Sequence, residues 1–211
     1  MPELTTINFK RVIMFGTGKF IEQTDRSPPF RTQTVYALAD DITVTGAGPV
    51  IPDVRNPSDI VVRTLTPGPG ADQRTVVPVT SPTDWSTQHG WLVDLPDPGE
   101  RVNIDPLIQL GFLSIPSNVP TADTCTAGGY SWFNFFDLAT GGYVPAPGNT
   151  MASQKVPDAL LVGQSVVCAA GGNCEIIAID NTGKPREEPP PIPPAGYTGR
   201  RVSWRELIVD Q

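Results

Sequence analysis

Phe135-Phe136-Asp137-Leu138-Ala139-Thr140-Gly141-Gly142 and Ile177-Ala178-Ile179-Asp180-Asn181-Thr182-Gly183-Lys184 are the two stretches from which the fold of this chain is read. Each runs from apolar residues into an Asp and closes on Thr-Gly. The physical reading is a β-strand that ends where Asp accepts backbone N–H bonds and Gly takes the positive φ that reverses the chain. The two aspartates lie about 43 residues apart, the length of one four-stranded propeller blade. A weaker third copy is Val35-Tyr36-Ala37-Leu38-Ala39-Asp40-Asp41. The repeat favours a β-propeller over a sandwich or a simple barrel.

Working outward, short segments alternate at strand spacing or run apolar, each bounded by turn residues: 9–15, 34–38, 60–65, 75–79, 91–95, 101–104, 108–115, 131–138, 159–167, 175–180 and 201–209. No long window carries a helical stripe. The composition agrees, since 20 Gly and 24 Pro among 211 residues interrupt regular structure often, while 39% hydrophobic and only 18% charged residues describe a folded chain. The expected class is all-β: antiparallel β-propeller blades forming a partial propeller, loop-rich, with little or no helix. Residues 185–198, Pro-rich, are expected to be an extended polyproline spacer before the last strand.

Fifteen basic and 22 acidic residues give a net charge of -7, with no basic run longer than Arg200-Arg201. Such a chain repels phosphate backbones and anionic lipid, so neither nucleic acid nor an anionic membrane surface is expected as a partner. No apolar run reaches the roughly 20 residues that a membrane helix needs, so no membrane insertion is expected. The first ten residues lack a basic region followed by an apolar one, so no signal peptide is read within this numbering.

Three cysteines and a single histidine, His89, form no zinc pattern. Cys168 and Cys174 sit at the shoulders of two strands joined by a Gly-rich turn, where Cβ atoms can approach closely enough for a bridge. A structural disulfide between them is the expectation, favouring an oxidising compartment; a pair of reduced thiols is the alternative. Cys125 is then either free or paired outside this chain.

Chemistry-bearing motifs are weak. Gly16-Thr17-Gly18-Lys19 follows a strand, but the glycines are too close for a Walker loop and Phe20, not Ser or Thr, follows Lys19. A tight turn with both glycines at positive φ is the better expectation. His89 lies in Trp85-Ser86-Thr87-Gln88-His89-Gly90-Trp91, and no Gly-x-Ser-x-Gly elbow exists to partner it. The carboxylate pairs Asp40-Asp41 and Glu187-Glu188 are neighbours in sequence, which point apart on a strand. No catalytic, cofactor-binding or metal-binding residue is assigned, and no enzyme activity is expected. The aromatic run Tyr130-Ser131-Trp132-Phe133-Asn134-Phe135-Phe136 reads as a strand buried on both faces, with a sugar- or partner-binding platform as the alternative.

Taken in order, Arg11-Val-Ile-Met-Phe-Gly16-Thr17-Gly18-Lys19-Phe20, Gln33-Thr-Val-Tyr36-Ala-Leu, Gly90-Trp91-Leu-Val-Asp94-Leu95, Gly99-Glu100-Arg101-Val102, Cys125-Thr-Ala-Gly128-Gly129-Tyr-Ser131-Trp132, Asp137-Leu-Ala-Thr-Gly141-Gly142 and Gly199-Arg-Arg-Val-Ser203-Trp204-Arg205-Glu206-Leu207 span nearly the whole chain. Together they resemble the C-terminal β-propeller of the PilC/PilY family of type IV pilus tip-associated proteins. The resemblance implies an exported protein at the pilus tip, outer surface or periplasm that supports pilus assembly, counteracts retraction and mediates adhesion. Its implied partners are minor pilins or the rest of the tip complex, and host surface ligands. Several members of that family hold calcium on an Asp-rich loop, which this sequence lacks, so no calcium ligand is carried over. The family's propeller also needs more strands than residues 1–211 supply, so the chain reads as the C-terminal part of one propeller domain. Two other readings stand beside this one: a quinoprotein-like propeller enzyme, from the Asp-Thr-Gly repeat, and a carbohydrate-binding β domain.

Overall fold

The computed structural model describes residues 1–18, 21–22, 25, 27–40, 43–45, 48–50, 53–77, 83–109, 111–121, 128–168 and 174–188. The strands in chain order are β1 (Glu3–Ile7), β2 (Lys10–Gly16), β3 (Thr34–Ala39), β4 (Thr43–Thr45), β5 (Gly48–Val50), β6 (Val61–Pro67), β7 (Gln73–Val77) and β8 (Gly90–Asp94). They continue with β9 (Leu107–Gln109), β10 (Phe112–Ser114), β11 (Ser117–Pro120), β12 (Gly129–Asp137), β13 (Ser153–Val156), β14 (Leu161–Cys168), β15 (Cys174–Asp180) and β16 (Pro185–Glu188). No α-helix occurs among the described residues, as the Gly and Pro content predicts.

One large sheet follows the order β1-β2-β3-β8-β6-β7-β13-β12-β10-β9, with β11 also paired to β12. Its first four strands, β1-β2-β3-β8, are antiparallel neighbours throughout. β6 then lies parallel to β8, a departure from the purely antiparallel expectation. The chain can make that pairing because β7 and a further stretch of chain separate the two strands and carry it back across the sheet. The two ends of the sheet, β1 and β9, meet, and the Met1 amino group pairs with Asp105 beside that junction. β14, β15 and β16 form a separate three-stranded antiparallel sheet.

β12 is the axis of the core. Its alternation sends Phe133 and Phe135 to one face, where they stack at 6.2 Å and pack with Phe112, Leu161, Ile176 and Ala178, joining the small sheet to the large one. Phe136 faces the other way, 5.8 Å from Trp91, among Val12, Met14, Val35 and Val93. Every residue from Ser131 to Phe136 is buried, so the expectation of a strand covered on both faces holds.

Both repeat turns form as read. At the first, the Thr140 amide and hydroxyl donate to Asp137 Oδ1 at 2.8 and 2.7 Å, and Gly141 sits at φ +68°. At the second, one residue shorter, Thr182 makes the same two bonds to Asp180 Oδ1 at 2.8 and 2.6 Å, with Gly183 at φ +81°. These bonds, joined by the Lys184 amide and Arg186, hold the buried Asp180 carboxyl well below the usual carboxylate range. The first turn is also a hub. The Leu138, Ala139 and Thr140 carbonyls accept from Trp91 Nε1 at 2.9 Å, Trp85 Nε1 at 2.8 Å and Arg63 Nε at 2.8 Å.

Four expectations change. Gly16 closes β2 and is not a turn residue: a Cβ there would lie 2.4 Å from Val102, and one at Gly18 would lie 2.6 Å from the Val102 nitrogen. The two glycines therefore permit two chain segments to touch, with Val102 N donating to Thr17 O at 3.0 Å, rather than reversing the chain. Residues 101–104 are not a strand and make a single bridge, Arg101 to Asn118. The run 108–115 is a hairpin, split at Gly111 with φ +86°. The first residues of the expected spacer, Pro185 to Glu188, pair with β15 as an edge strand, which tolerates proline at its first position. Residues 189–198, the expected strand 201–209, Cys125 and Lys19 lie outside the described residues.

The two repeat glycines separate backbone strain from steric clash. A Cβ at Gly183 meets nothing within 4 Å, whereas one at Gly141 lies 2.5 Å from the Trp91 ring. Gly183→Ala is expected to cost about 1 kcal/mol, the left-handed penalty alone. Gly141→Ala adds overpacking and is expected to cost about 2–5 kcal/mol. Urea unfolding of the two variants checks the difference.

Candidate functional site

The densest group of charged side chains lies where β7, β12 and β13 meet the chain entering from β8. Asp97-Pro98-Gly99-Glu100 is a β-turn closed by Glu100 N–H to Asp97 C=O at 3.0 Å, with Gly99 at φ +80° after proline, the type II arrangement. That turn folds both of its carboxylates onto Arg74 of β7. Arg74 donates to Glu100 Oε1 at 2.9 Å and Oε2 at 3.0 Å, and reaches Asp97 Oδ2 at 2.6 Å. The Arg74 and Glu100 side chains are 6% and 0% exposed, so the ion pair is fully desolvated.

The remaining polar atoms are satisfied in turn. Ser117 Oγ donates to Glu100 Oε1 at 2.6 Å, Asn134 Nδ2 to Ser117 Oγ at 3.0 Å, and Ser153 Oγ to Asn134 Oδ1 at 2.7 Å, a polar line through the interior. Asp97 Oδ2 also accepts from Tyr130 Oη at 2.9 Å and Trp132 Nε1 at 3.0 Å. Burial, with the Asp97 carboxylate beside it, pushes the Tyr130 phenol well above its ordinary range. The Arg74 guanidinium lies 3.7 Å above the Trp132 ring, and Lys155 Nζ sits 4.1 Å from the Tyr130 ring centre.

A shallow cleft of about 290 Å³ opens beside this group, walled by Leu65, Pro67, Pro96, Gln73 and the edge of Trp132. Its charged lining, Arg74 and Asp97, is already committed to hydrogen bonds, and Trp132 is 6% exposed with a cation over its ring. Trp85 and Trp91 are buried too, their indole N–H groups bound to carbonyls. The aromatics therefore pack the core, and the sugar-platform alternative fails for these three tryptophans.

A second polar cluster lies at one end of β3 and β8. Thr34 Oγ1 donates to Asp94 Oδ1 at 2.5 Å, and Arg55 bonds Asp94 Oδ2 at 3.0 Å while lying 5.8 Å from the Tyr36 ring centre. The hydrogen bond to Asp94 raises the Arg55 pKa further. His89 lies in the loop before β8, its backbone donating to Asp59 O and accepting from Ala39 N. Asp40 pairs with Arg11 at 3.3 Å, and Asp41 lies outside the described residues. Among the described residues, no three His, Cys, Asp or Glu side chains group as metal ligands, and no helix is long and apolar enough to cross a membrane. β14 and β15 place Cys168 and Cys174 as register partners, so the predicted hairpin with a cysteine at each shoulder exists in the backbone.

No protein-family model matches the chain, and no curated protein matches its sequence. Among solved structures, the crystal structure of the Pseudomonas aeruginosa PilY1 C-terminal domain matches 90% of the chain with a TM-score of 0.60 and 18% identity. The chain has the fold of that domain. The all-β partial propeller read from the sequence thus holds, with the chain spanning 44% of the PilY1 C-terminal structure. Motif residues that are scattered in sequence take up paired positions in this PilY1-type fold. Glu100 and Trp132 meet at Arg74, and Trp91 meets the turn of Asp137 and Gly141. Arg74 and Asp97 were missed by sequence reasoning. The signal that could have found Asp97 is the Pro98-Gly99 turn that places it beside Glu100.

Proposed function

We propose that this chain is a non-enzymatic module of the type IV pilus machinery, exported to the pilus tip, outer surface or periplasm, where it supports pilus assembly, counteracts retraction and serves adhesion. The observation that carries this reading is the shared fold with the PilY1 C-terminal domain over nine-tenths of the chain. The ordered motifs that resemble the PilC/PilY family support it further, since several of them make the contacts that hold the fold. A scaffold role is supported by the way Arg74, Asp97 and Glu100 spend their charges on one another. Partners on this reading are minor pilins or other parts of the tip complex, and host surface ligands. The backbone register of Cys168 and Cys174 supports a structural disulfide there, which fits an oxidising compartment.

Deleting the coding sequence in the bacterium that encodes it is expected to reduce surface pili counted by electron microscopy, and adhesion with them; unchanged pili and adhesion would overturn the proposal. For the cysteines, a non-reducing peptide map of the exported protein is expected to show the peptides of Cys168 and Cys174 linked. A free Cys174 thiol in that material would mean the bridge is not formed.

A further inference from the structure

β1 and β2 are joined by the two-residue loop Asn8-Phe9, since Ile7 and Lys10 are register partners. Both loop residues sit at positive φ, +48° and +65°, the type I′ turn whose second position strongly prefers Gly. Asn8 suits its place, but Phe9 does not: a bulky side chain in the left-handed region is a genuine outlier. Phe9 is also fully exposed, so no packing within the chain holds the ring. Apolar residues are exposed singly on several strands, Val62, Val77 and Val167 among them, in ordinary strand conformation, and call for no explanation. An aromatic ring kept at a strained, solvated tip does call for one. Strain from which the fold gains nothing points to a contact outside the fold.

The same hairpin carries a seat for such a ring. Its outer face sets Leu4 and Thr6 of β1 beside Ile13 and Arg11 of β2, opposite the buried Ile7, Val12 and Met14. Leu4, Thr5, Thr6, Arg11, Ile13 and Asp40, the residue after β3, line a cleft of about 330 Å³ there. A space of about 150 Å³ is enough for a benzene ring. We propose that two copies of the chain pair through this hairpin about a two-fold axis, Phe9 of each seated in the cleft of the other. Thr6 and Arg11 lie between the tip and the Leu4–Ile13 pair, so an axis passing beside them exchanges tip for cleft and closes on two copies. The rim of the cleft carries one cation, Arg11 at 80% exposed, and one carboxylate, Asp40 at 39%, 3.3 Å apart. Such a rim complements a copy of itself, Arg11 of each beside Asp40 of the other, whereas a partner surface of a single sign would repel one of the two. The contact is the size of two hairpin faces, so the pairing is weak, with a micromolar dissociation constant. It does not rest on the pilus role.

Analytical ultracentrifugation of the full chain tests the pairing. At about 100 µM the wild type is expected to sediment mainly as a dimer. Phe9→Gly, and Leu4→Asp at a position 73% exposed, are each expected to weaken that dimer at least tenfold. Phe9→Gly removes the ring and the strain together. At about 1 µM, where both proteins are monomers, it is expected to melt about 2–4 °C above the wild type, so misfolding cannot account for its lost pairing. A wild type that stays monomeric at the higher concentration overturns the proposal, as does a dimer that survives Phe9→Gly. A dimer lost with Phe9→Gly but kept with Leu4→Asp places the ring elsewhere on the second copy, and the proposal fails. Phe9→Gly melting below the wild type would mean that contacts within the fold hold Phe9, and the inference from strain fails with it.

Discussion

A buried arginine that bonds two carboxylates is the constraint on which the rest of the molecule depends. Attraction between Arg74 and Glu100 roughly offsets the cost of taking both from water, so the pair adds little net stability. Its effect is conditional, because neither charge can be left alone in the interior. β7, which carries Arg74, must therefore meet the turn that carries Glu100, and Ser117, Asn134 and Ser153 must complete the polar line behind it. That line crosses β11, β12 and β13 and fixes their register, since a slip of one residue would turn Asn134 to the phenylalanine face.

The second organising device is the Asp137–Gly141 turn. A turn usually offers its carbonyls to water. Here three consecutive carbonyls accept from Trp91, Trp85 and Arg63, drawn from β8, the loop before it and β6. The two strands of the parallel pair, β6 and β8, are thus held from one point. Gly141 is required twice over, by its positive φ and by the tryptophan ring lying against it. The related Asp180 turn carries a lighter load: its glycine faces open space, and beyond closing the β15-β16 hairpin it bonds only Leu160, whose carbonyl accepts from Asn181 N at 2.7 Å and whose amide donates to Asn181 Oδ1 at 3.2 Å.

Local features of this fold were legible in the sequence, and partnerships between distant residues were not. Alternation found β2, β3, β6, β8, β12, β14 and β15, since each has a clear apolar face. The Asp-Thr-Gly turns were legible because their bonds lie within five residues. β1 was missed because its alternation leaves Leu4 exposed and Ile7 buried, so neither face reads as consistently apolar. The Gly16–Gly18 passage was misread because a glycine required by a distant Val102 looks the same in sequence as one required by a turn. Arg74 and Glu100 are 26 residues apart in a chain rich in ordinary surface charges, and nothing local marks them as interior. The motifs that carry the family resemblance contain Glu100, Trp91 and Trp132, but they do not say which distant residues these meet.

Denaturation of Glu100→Gln alongside Arg11→Ala tests most directly whether the fold is keyed by its buried ion pair. Both substitutions remove one charge of a pair, but the Arg11 side chain is 80% exposed whereas that of Glu100 is 0% exposed. Glu100→Gln is expected to lower the unfolding free energy by about 3 kcal/mol, because Arg74 loses its one fully buried countercharge and keeps only the partly exposed Asp97. Arg11→Ala is expected to change it by less than about 1 kcal/mol. A Glu100→Gln protein within about 1 kcal/mol of the wild type would contradict the account.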